Sequence, residues 1–385
     1  TEIANQLGIS PLEIRKINGF RDGDRTSANQ ELMDVGLLKT LEVIEPIYEQ
    51  RKKELAASKQ KAPVKRGLGI ACLGYGIGYS GVRNPSCAVL KVAADGMITI
   101  YSGTPDIGTG SDMAMSQIAA DALDVDLKRI RIISGDSSKT EDSGPTSASR
   151  TTYFSGNAIR YASEDFIHQF STLVARQSGC EAKQVKLVND EVRVGENRLD
   201  FEAACRLIID EIDSIEGYGK FDPDISVDIT TFKGNPYATY TYATHLVEIE
   251  VDEELGSVRV PRVWAAHDGG VIVNPVGAEG QVEGGIAMGI GMALYEKIVR
   301  DEGYIMNPNY RDYLLPGSMD IPERIEITFV DNYDRTGPYG AKGIAEASLI
   351  PIPAAIASAL TEAVGVRPRS LPMESEKILK LMGEN

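Results

Sequence analysis

Cysteine is scarce in this chain and never paired along it: Cys72, Cys87, Cys180 and Cys205 include no C-x-x-C spacing. That removes the ligand pattern of an iron–sulfur cluster or a structural zinc site. Thiols this sparse and irregular fit a reducing cytoplasm, which is the expected location. Histidine is scarcer still, with only His168, His245 and His267, so a histidine-rich metal site is not expected. Basic residues are outnumbered 40 to 56, for a net charge of −16. Nucleic-acid binding depends on clustered Lys and Arg, so nucleic acid is not an expected partner. No apolar run reaches the roughly 20 residues of a membrane span. The longest is read as "GGIAMGIGMALY", between Glu283 and Glu296, so no membrane is expected either. No signal-peptide pattern opens the chain, and a start at Thr1 is read as a processed end or a cut from a longer product.

What is present suits a large soluble chain: 385 residues, 42% hydrophobic and 25% charged. The first 60 residues read as helical, with a Ser10-Pro11 start to "SPLEIRKIN" and helical spacing through "LLKTLEVIEPIYEQRKKELAASKQ". This part is too thin in apolar residues to fold alone and is expected to pack on something else. The basic stretch "KQKAPVKRG" (59–67) marks a boundary, giving segments 1–66 and 67–385.

Beyond it, hairpins alternate with helices. "SCAVLKVAADGMITIYSG", "KQVKLVNDEVRV" and "ATHLVEIEVDEELGSVRVPRVWAA" read as hairpins, and "IRIISGD" and "RIEITFV" as strands. Helices are expected at "SDMAMSQIAADALDV", capped by Ser111 or Asp112, and near 156–177, in "FEAACRLIIDEI", and near 278–296, 350–364 and 373–382. The fold class is therefore α+β, not a doubly wound parallel sheet.

Four segments have a chemical reading beside a packing one. Gly108-Thr109-Gly110 leads directly into a helix: either an ordinary helix start, or backbone N–H groups that hold a phosphate. "GPTSASRTTYFSGNA" (144–158) carries hydroxyls at Thr146, Ser147, Ser149, Thr151 and Thr152 beside Arg150, as a surface loop or as a seat for an anionic or polar cofactor. "GAEGQVEGGIAMGIGMALYE" (277–296) is rich in glycine, each costing about 1 kcal/mol in a helix relative to Ala. Either another helix or a ligand approaches closely there, with Gly280 and Gln281 near the helix start. In "YGAKGIAEASLIPIPAAIASAL" (339–360), Glu346 is the sole acid between Asp334 and Glu362. It either caps the following helix or has its pKa raised by desolvation.

In order, "DIGTGS", "PTSAS", "GQVEGG" and "GAKGIAEA" resemble the glycine-rich turn, "TAAS" loop, "GQxxGG" helix and "GAKGVGEP" site of the molybdenum-binding subunit of the xanthine dehydrogenase and aldehyde oxidase family. The phrases "LGISPLEIRKIN", "DYLLPGSMDIPERIEI" and "VRPRSLPMESEKILKLM" agree as well, so the likeness runs along nearly the whole chain. It is similar to the C-terminal half of that subunit, and most similar to the medium molybdopterin subunit of bacterial nicotinate dehydrogenase. The segment 1–66 is then the end of a first molybdenum-binding subdomain with its linker, and 67–385 a second one. The family's "GGGFGGK" loop and pocket arginine are absent here, so a second chain carrying the N-terminal half is implied.

The resemblance implies a molybdenum–molybdopterin cofactor in its cytosine dinucleotide form, with a terminal sulfido or selenido ligand and no direct protein ligand to the metal. It implies that Glu346 is a general base, taking a proton from a molybdenum-bound hydroxyl that attacks an electron-poor carbon of a nicotinate- or purine-like heterocycle. Gly108, Thr109, Gly110, Thr146, Ser147, Ser149, Gly280, Gln281, Lys342 and Gly343 would hold the cofactor. Tyr79 and Ser80 in "YGIGYSG" would line a substrate pocket, or Tyr79 is a strand-end tyrosine on the surface. Electrons would leave through a [2Fe–2S] subunit and an FAD subunit. Thr109 stands where the family has Gln, and Ala345 and Ala347 stand where it has Gly and Pro. Aldehyde oxidation and a non-catalytic scaffold role are the competing functions.

Overall fold

The computed structural model describes residues 1–58, 62–209 and 214–383, and its class is α+β. Two four-stranded mixed sheets organise it. The first runs Val64–Gly76, Tyr240–Asp252, Val258–Asp268 and Arg324–Phe329, antiparallel except for the last pair. The second runs Ile130–Ser134, Ile98–Ser102, Ser86–Val92 and Ile215–Phe221, with Ile98–Ser102 parallel to Ile130–Ser134. A three-stranded sheet, Val185–Val188, Glu191–Val194 and Asn197–Asp200, extends the expected hairpin by one strand.

Each large sheet carries one long helix pressed against a strand through missing side chains. Thr151–Ser178 lies on Ile215–Phe221, where a Cβ at Gly219 would sit 2.0 Å from the Ala158 carbonyl oxygen. Pro351–Val364 lies on Val64–Gly76, where a Cβ at Gly69 would sit 1.8 Å from the Ala355 oxygen. These contacts fix both helices close to their sheets.

The core divides accordingly. Phe154, Phe166 and Phe170 pack with Leu90, Ile98 and Ile100 under the second sheet. On one face of the first sheet, Val247, Ile249 and Val263 meet Ile286, Ile290, Ile356 and Leu360. Its other face is covered by the helix Leu37–Ala57, whose Leu41, Ile44 and Tyr48 pack on Ile70, Leu246 and Trp264. The thin N-terminal segment thus has its core in this sheet.

Helix boundaries follow local chemistry. Ser10 caps Pro11–Asn18 by accepting the Glu13 N–H at 3.0 Å. The helix Ser111–Leu123 is capped differently from expectation: Gly110 is its N-cap residue, and neither Ser111 nor Asp112 caps it by a side chain. The helix expected over 201–212 is described over Phe201–Ile209, and the rest of that expectation, like 59–61 of the linker, lies outside the described residues. The longest apolar stretch is also not the one read from sequence. Ala345–Val364 has the length and composition of a membrane span, but Ile352, Ala355, Ile356, Ala359 and Leu360 are buried against the first sheet and the helix Pro275–Leu294, as a core helix.

Candidate active site

Four chain segments leave the sheets as loops and enter helices around one cavity of about 190 Å³. Residues near the N-termini of Ser111–Leu123, Thr151–Ser178, Pro275–Leu294 and Ala345–Leu349 line it. Helix N-termini carry partial positive charge, so their convergence favours an anion, while side chains of the protein take an N–H at three of them: Asp106, Asn274 and Ser149. The lining mixes apolar Ile107, Val271, Ile272, Val273 and Ile344 with hydroxyls and the Gln281 amide, and among the described residues its single carboxylate is Glu346.

Glu346 sits half-buried in the first turn of Ala345–Leu349 and does not cap it; the N-cap position is Ile344, without a side-chain bond. Its partner is Ser149: the Ser149 hydroxyl donates to Glu346 Oε2, and the Glu346 N–H donates to Ser149 Oγ at 3.2 Å. Tyr75 lies near enough to feel this charge, and its hydroxyl is pushed up to about 12, by burial first and by Glu346 second.

The loop bearing Ser149 is unusual. Ala148 and Ser149 are both left-handed, at φ 51° and 50°, a conformation costing roughly 1–2 kcal/mol per non-glycine residue. Arg150 holds the loop from beneath. Fully buried, its guanidinium donates to the carbonyls of Ser143 at 2.7 Å and Asn84 at 2.7 Å, with Pro85, Pro145 and the Asn84 side chain completing the set. Burial lowers its pKa to about 10. Its acceptors here are neutral oxygens, so its charge adds to the positive character of the site.

The Gly108-Thr109-Gly110 turn is organised otherwise than a phosphate loop. Its three N–H groups and that of Asp112 all point to the Asp106 carboxylate, at 2.8 to 3.3 Å. Burial pushes that carboxyl upward, but the N–H donors outweigh it and hold Asp106 below its ordinary range. The backbone donors expected to meet a ligand are therefore occupied. What the turn offers the cavity is side chains: Thr109 Oγ1 and Ser111 Oγ line it, are buried, and have no hydrogen-bond partner among the described residues.

The sequence-predicted residues divide as follows. Thr109, Gly110, Thr146, Ser147, Ser149, Gln281, Lys342, Gly343 and Glu346 come together around the cavity; Gly108, Gly280, Tyr79 and Ser80 are not among its lining residues. Tyr79 stands one step behind, its hydroxyl sharing a 2.6 Å hydrogen bond with Ser147, while Ser80 and Gly280 are exposed. Thr146 donates to the Pro105 carbonyl. Lys342 reaches the lining, but its ammonium is committed to Asp268 Oδ2 and the Asp34 carbonyl, each at 2.8 Å, rather than offered to a ligand. Gly343 permits contact with the Ser149 loop, since a Cβ there would lie 1.8 Å from the Ser149 oxygen. In the glycine-rich helix, Gly285 and Gly289 admit Ser348 and Ile352, so packing explains those two positions. Sequence reasoning missed Asp106 and the role of Ser111. An Asp two residues before a Gly-x-Gly turn was the available signal for the first.

The site fits a cofactor that is anionic, rich in hydrogen-bonding atoms and apolar on one side: two orphaned hydroxyls, further Thr and Ser side chains, converging helix starts and an apolar wall line it. Among the described residues no cluster of three His, Cys, Asp or Glu could grip a metal directly, so a metal here would come on the cofactor.

Residues 43–322 match the family model of the molybdopterin cofactor-binding domain. The chain is 32% identical to the xanthine dehydrogenase molybdenum-binding subunit of Escherichia coli O157:H7, over 98% of this chain and 50% of that protein. It is 26% identical to the nicotine 6-hydroxylase large subunit of Paenarthrobacter nicotinovorans, over 98% and 48%. The crystal structure of the aldehyde oxidoreductase from Desulfovibrio desulfuricans superposes with a TM-score of 0.85 at 30% identity, over 99% of this chain and 39% of that one. The chain thus spans about half the length, or less, of the relatives it matches. With these matches and the site's geometry in agreement, the chain belongs to the molybdopterin cofactor-binding domain family that xanthine dehydrogenases and aldehyde oxidoreductases share.

Proposed function

We propose that this chain is the molybdopterin-binding half of a hydroxylase that replaces a C–H bond of an electron-poor heterocycle carbon by C–OH. Water supplies the oxygen, and two electrons pass to an acceptor. The observation that carries the reading is Glu346, among the described residues the single carboxylate of an apolar, hydroxyl-lined cavity. Thr109, Ser111, Thr151, Thr152 and Gln281 are the residues that would hold the cofactor. When bound, the molybdenum cofactor supplies a two-electron acceptor and an activated water.

The chain's own part is proton transfer and positioning. Glu346 Oε2 is committed to Ser149, which leaves Oε1 to take the proton released as the oxygen becomes nucleophilic. The apolar wall of Val271, Ile272 and Ile344 limits water around that carboxylate, and the helix N-termini with the buried Arg150 stabilise negative charge. The cytosine dinucleotide form, the sulfido or selenido ligand, the second chain with the N-terminal half, and the [2Fe–2S] and FAD subunits are all part of this proposal. The nicotinate-like substrate class draws support from the likeness to a nicotine 6-hydroxylase.

The test is to purify the chain with what accompanies it, measure molybdenum per chain, and assay nicotinate, xanthine and an aromatic aldehyde. About one molybdenum with turnover of a heterocycle is expected. Turnover of the aldehyde alone would replace the substrate class, and an intact complex without molybdenum would replace the enzyme reading by the scaffold one.

A further inference from the structure

We infer that Ser149 is a positioning residue that orients the Glu346 carboxylate, a role separate from holding the cofactor. Its catalytic consequence rests on Glu346 being the base; the geometry stands without that reading. One hydroxyl grips Glu346 twice, accepting its backbone N–H at 3.2 Å and donating to Oε2. A glutamate otherwise samples several staggered rotamers and a broad terminal torsion. The double contact selects one arrangement and turns Oε1 away from the hydroxyl.

Ser149 is itself held from several sides. The Gly78 N–H donates to the Ala148 carbonyl at 3.0 Å. Gly343 approaches the Ser149 carbonyl so closely that no side chain fits between them. Ser147, two residues earlier, is tied to the Tyr79 hydroxyl at 2.6 Å. Consecutive left-handed residues persist where the surroundings over-determine them, and such strain clusters at functional sites. The loop is therefore built to present this hydroxyl to Glu346. Donating to a ligand instead would require the hydroxyl to give up its bond to Oε2. Thr109 Oγ1 and Ser111 Oγ, which have no partner among the described residues, are better placed for that task.

The test compares Ser149→Ala and Ser149→Gly in the native complex. Alanine removes the hydroxyl at a strained backbone position; glycine removes it where the left-handed backbone is relaxed, so agreement between them assigns the effect to the hydroxyl. The first readout is infrared: the carboxylate stretch of Glu346, identified as the band lost in Glu346→Gln, shifts in both variants when its donor is gone. The second is kinetic, with kcat on the heterocycle falling on the order of tenfold or more through misorientation of the base, and KM within about twofold. An unmoved Glu346 band in both variants, with molybdenum content reduced, overturns the proposal and gives Ser149 to the cofactor. Turnover that survives Glu346→Gln removes the base assignment, and the infrared band then decides the positioning role alone.

Discussion

Lys342 Nζ lies 2.8 Å from Asp268 Oδ2, and neither side chain is exposed to solvent. The pair sits where the site loop leaves the first sheet, and the same Asp268 oxygen accepts the Gly36 N–H at 3.1 Å and the Asn332 amide at 3.0 Å. One carboxylate therefore ties the N-terminal segment to the backbone that leads into Glu346. Burial pushes Asp268 upward, with Lys342 the largest opposing influence.

Removing one partner strands the other. Lys342→Met is expected to destabilise the fold by about 3–5 kcal/mol, because Asp268 is left charged and buried. The double variant Lys342→Met with Asp268→Asn should recover part of that loss. Urea unfolding of both checks it, and a double variant no more stable than the single one would contradict the account.

Two adjacent glycines separate packing from helix propensity. A Cβ at Gly284 meets nothing within 4 Å, whereas one at Gly285 would lie 1.7 Å from Ser348 Oγ and 2.6 Å from its Cβ. Gly284→Ala should stabilise the helix by up to about 1 kcal/mol. Gly285→Ala should destabilise by roughly 1–3 kcal/mol through overpacking. Thermal unfolding should move in opposite directions for the two.

Why one of these glycines is structural was not readable from their spacing. The helix Pro275–Leu294 was legible, but the partner that fits against Gly285 is Ser348, far along the chain. Local chemistry was read well where it acts over a few residues, as at Ser10 and Glu13, or in the long antiparallel pair Tyr240–Asp252 and Val258–Asp268. Glu346 stood out because acids are otherwise absent around it. The partners of two site residues were not readable: Lys342 is held by Asp268 and Thr146 by the Pro105 carbonyl, both far away in the chain. The strand Val64–Gly76 was hidden by glycines whose purpose is a helix packed on top.

Stability should also depend on pH through His245 and His267, both fully buried with Nε2 atoms 2.9 Å apart. Burial lowers both, His267 to about 3, and His267 further lowers His245. Their folded pKa values are depressed, so the stabilisation is present above the ordinary histidine value of 6.5 and is lost as pH falls towards about 3. One pH unit below the ordinary value, each costs about 1.4 kcal/mol. Urea midpoints between pH 7.5 and 5.5 should drop for the native protein and less for His245→Gln with His267→Gln.

The Asp106 cap gives a local prediction. Asp106→Ala frees four N–H groups of the 108–112 turn and should cost about 0.5–2 kcal/mol. Amide exchange at Gly108, Thr109 and Gly110 should quicken by an order of magnitude or more.

The central claim is that Glu346 is the base. Single-turnover reduction of the molybdenum complex by its heterocyclic substrate, native against Glu346→Gln at equal molybdenum content, tests it most directly. The account predicts a fall of about 10²–10⁴-fold in the reduction rate with the metal retained; an unchanged rate would contradict it.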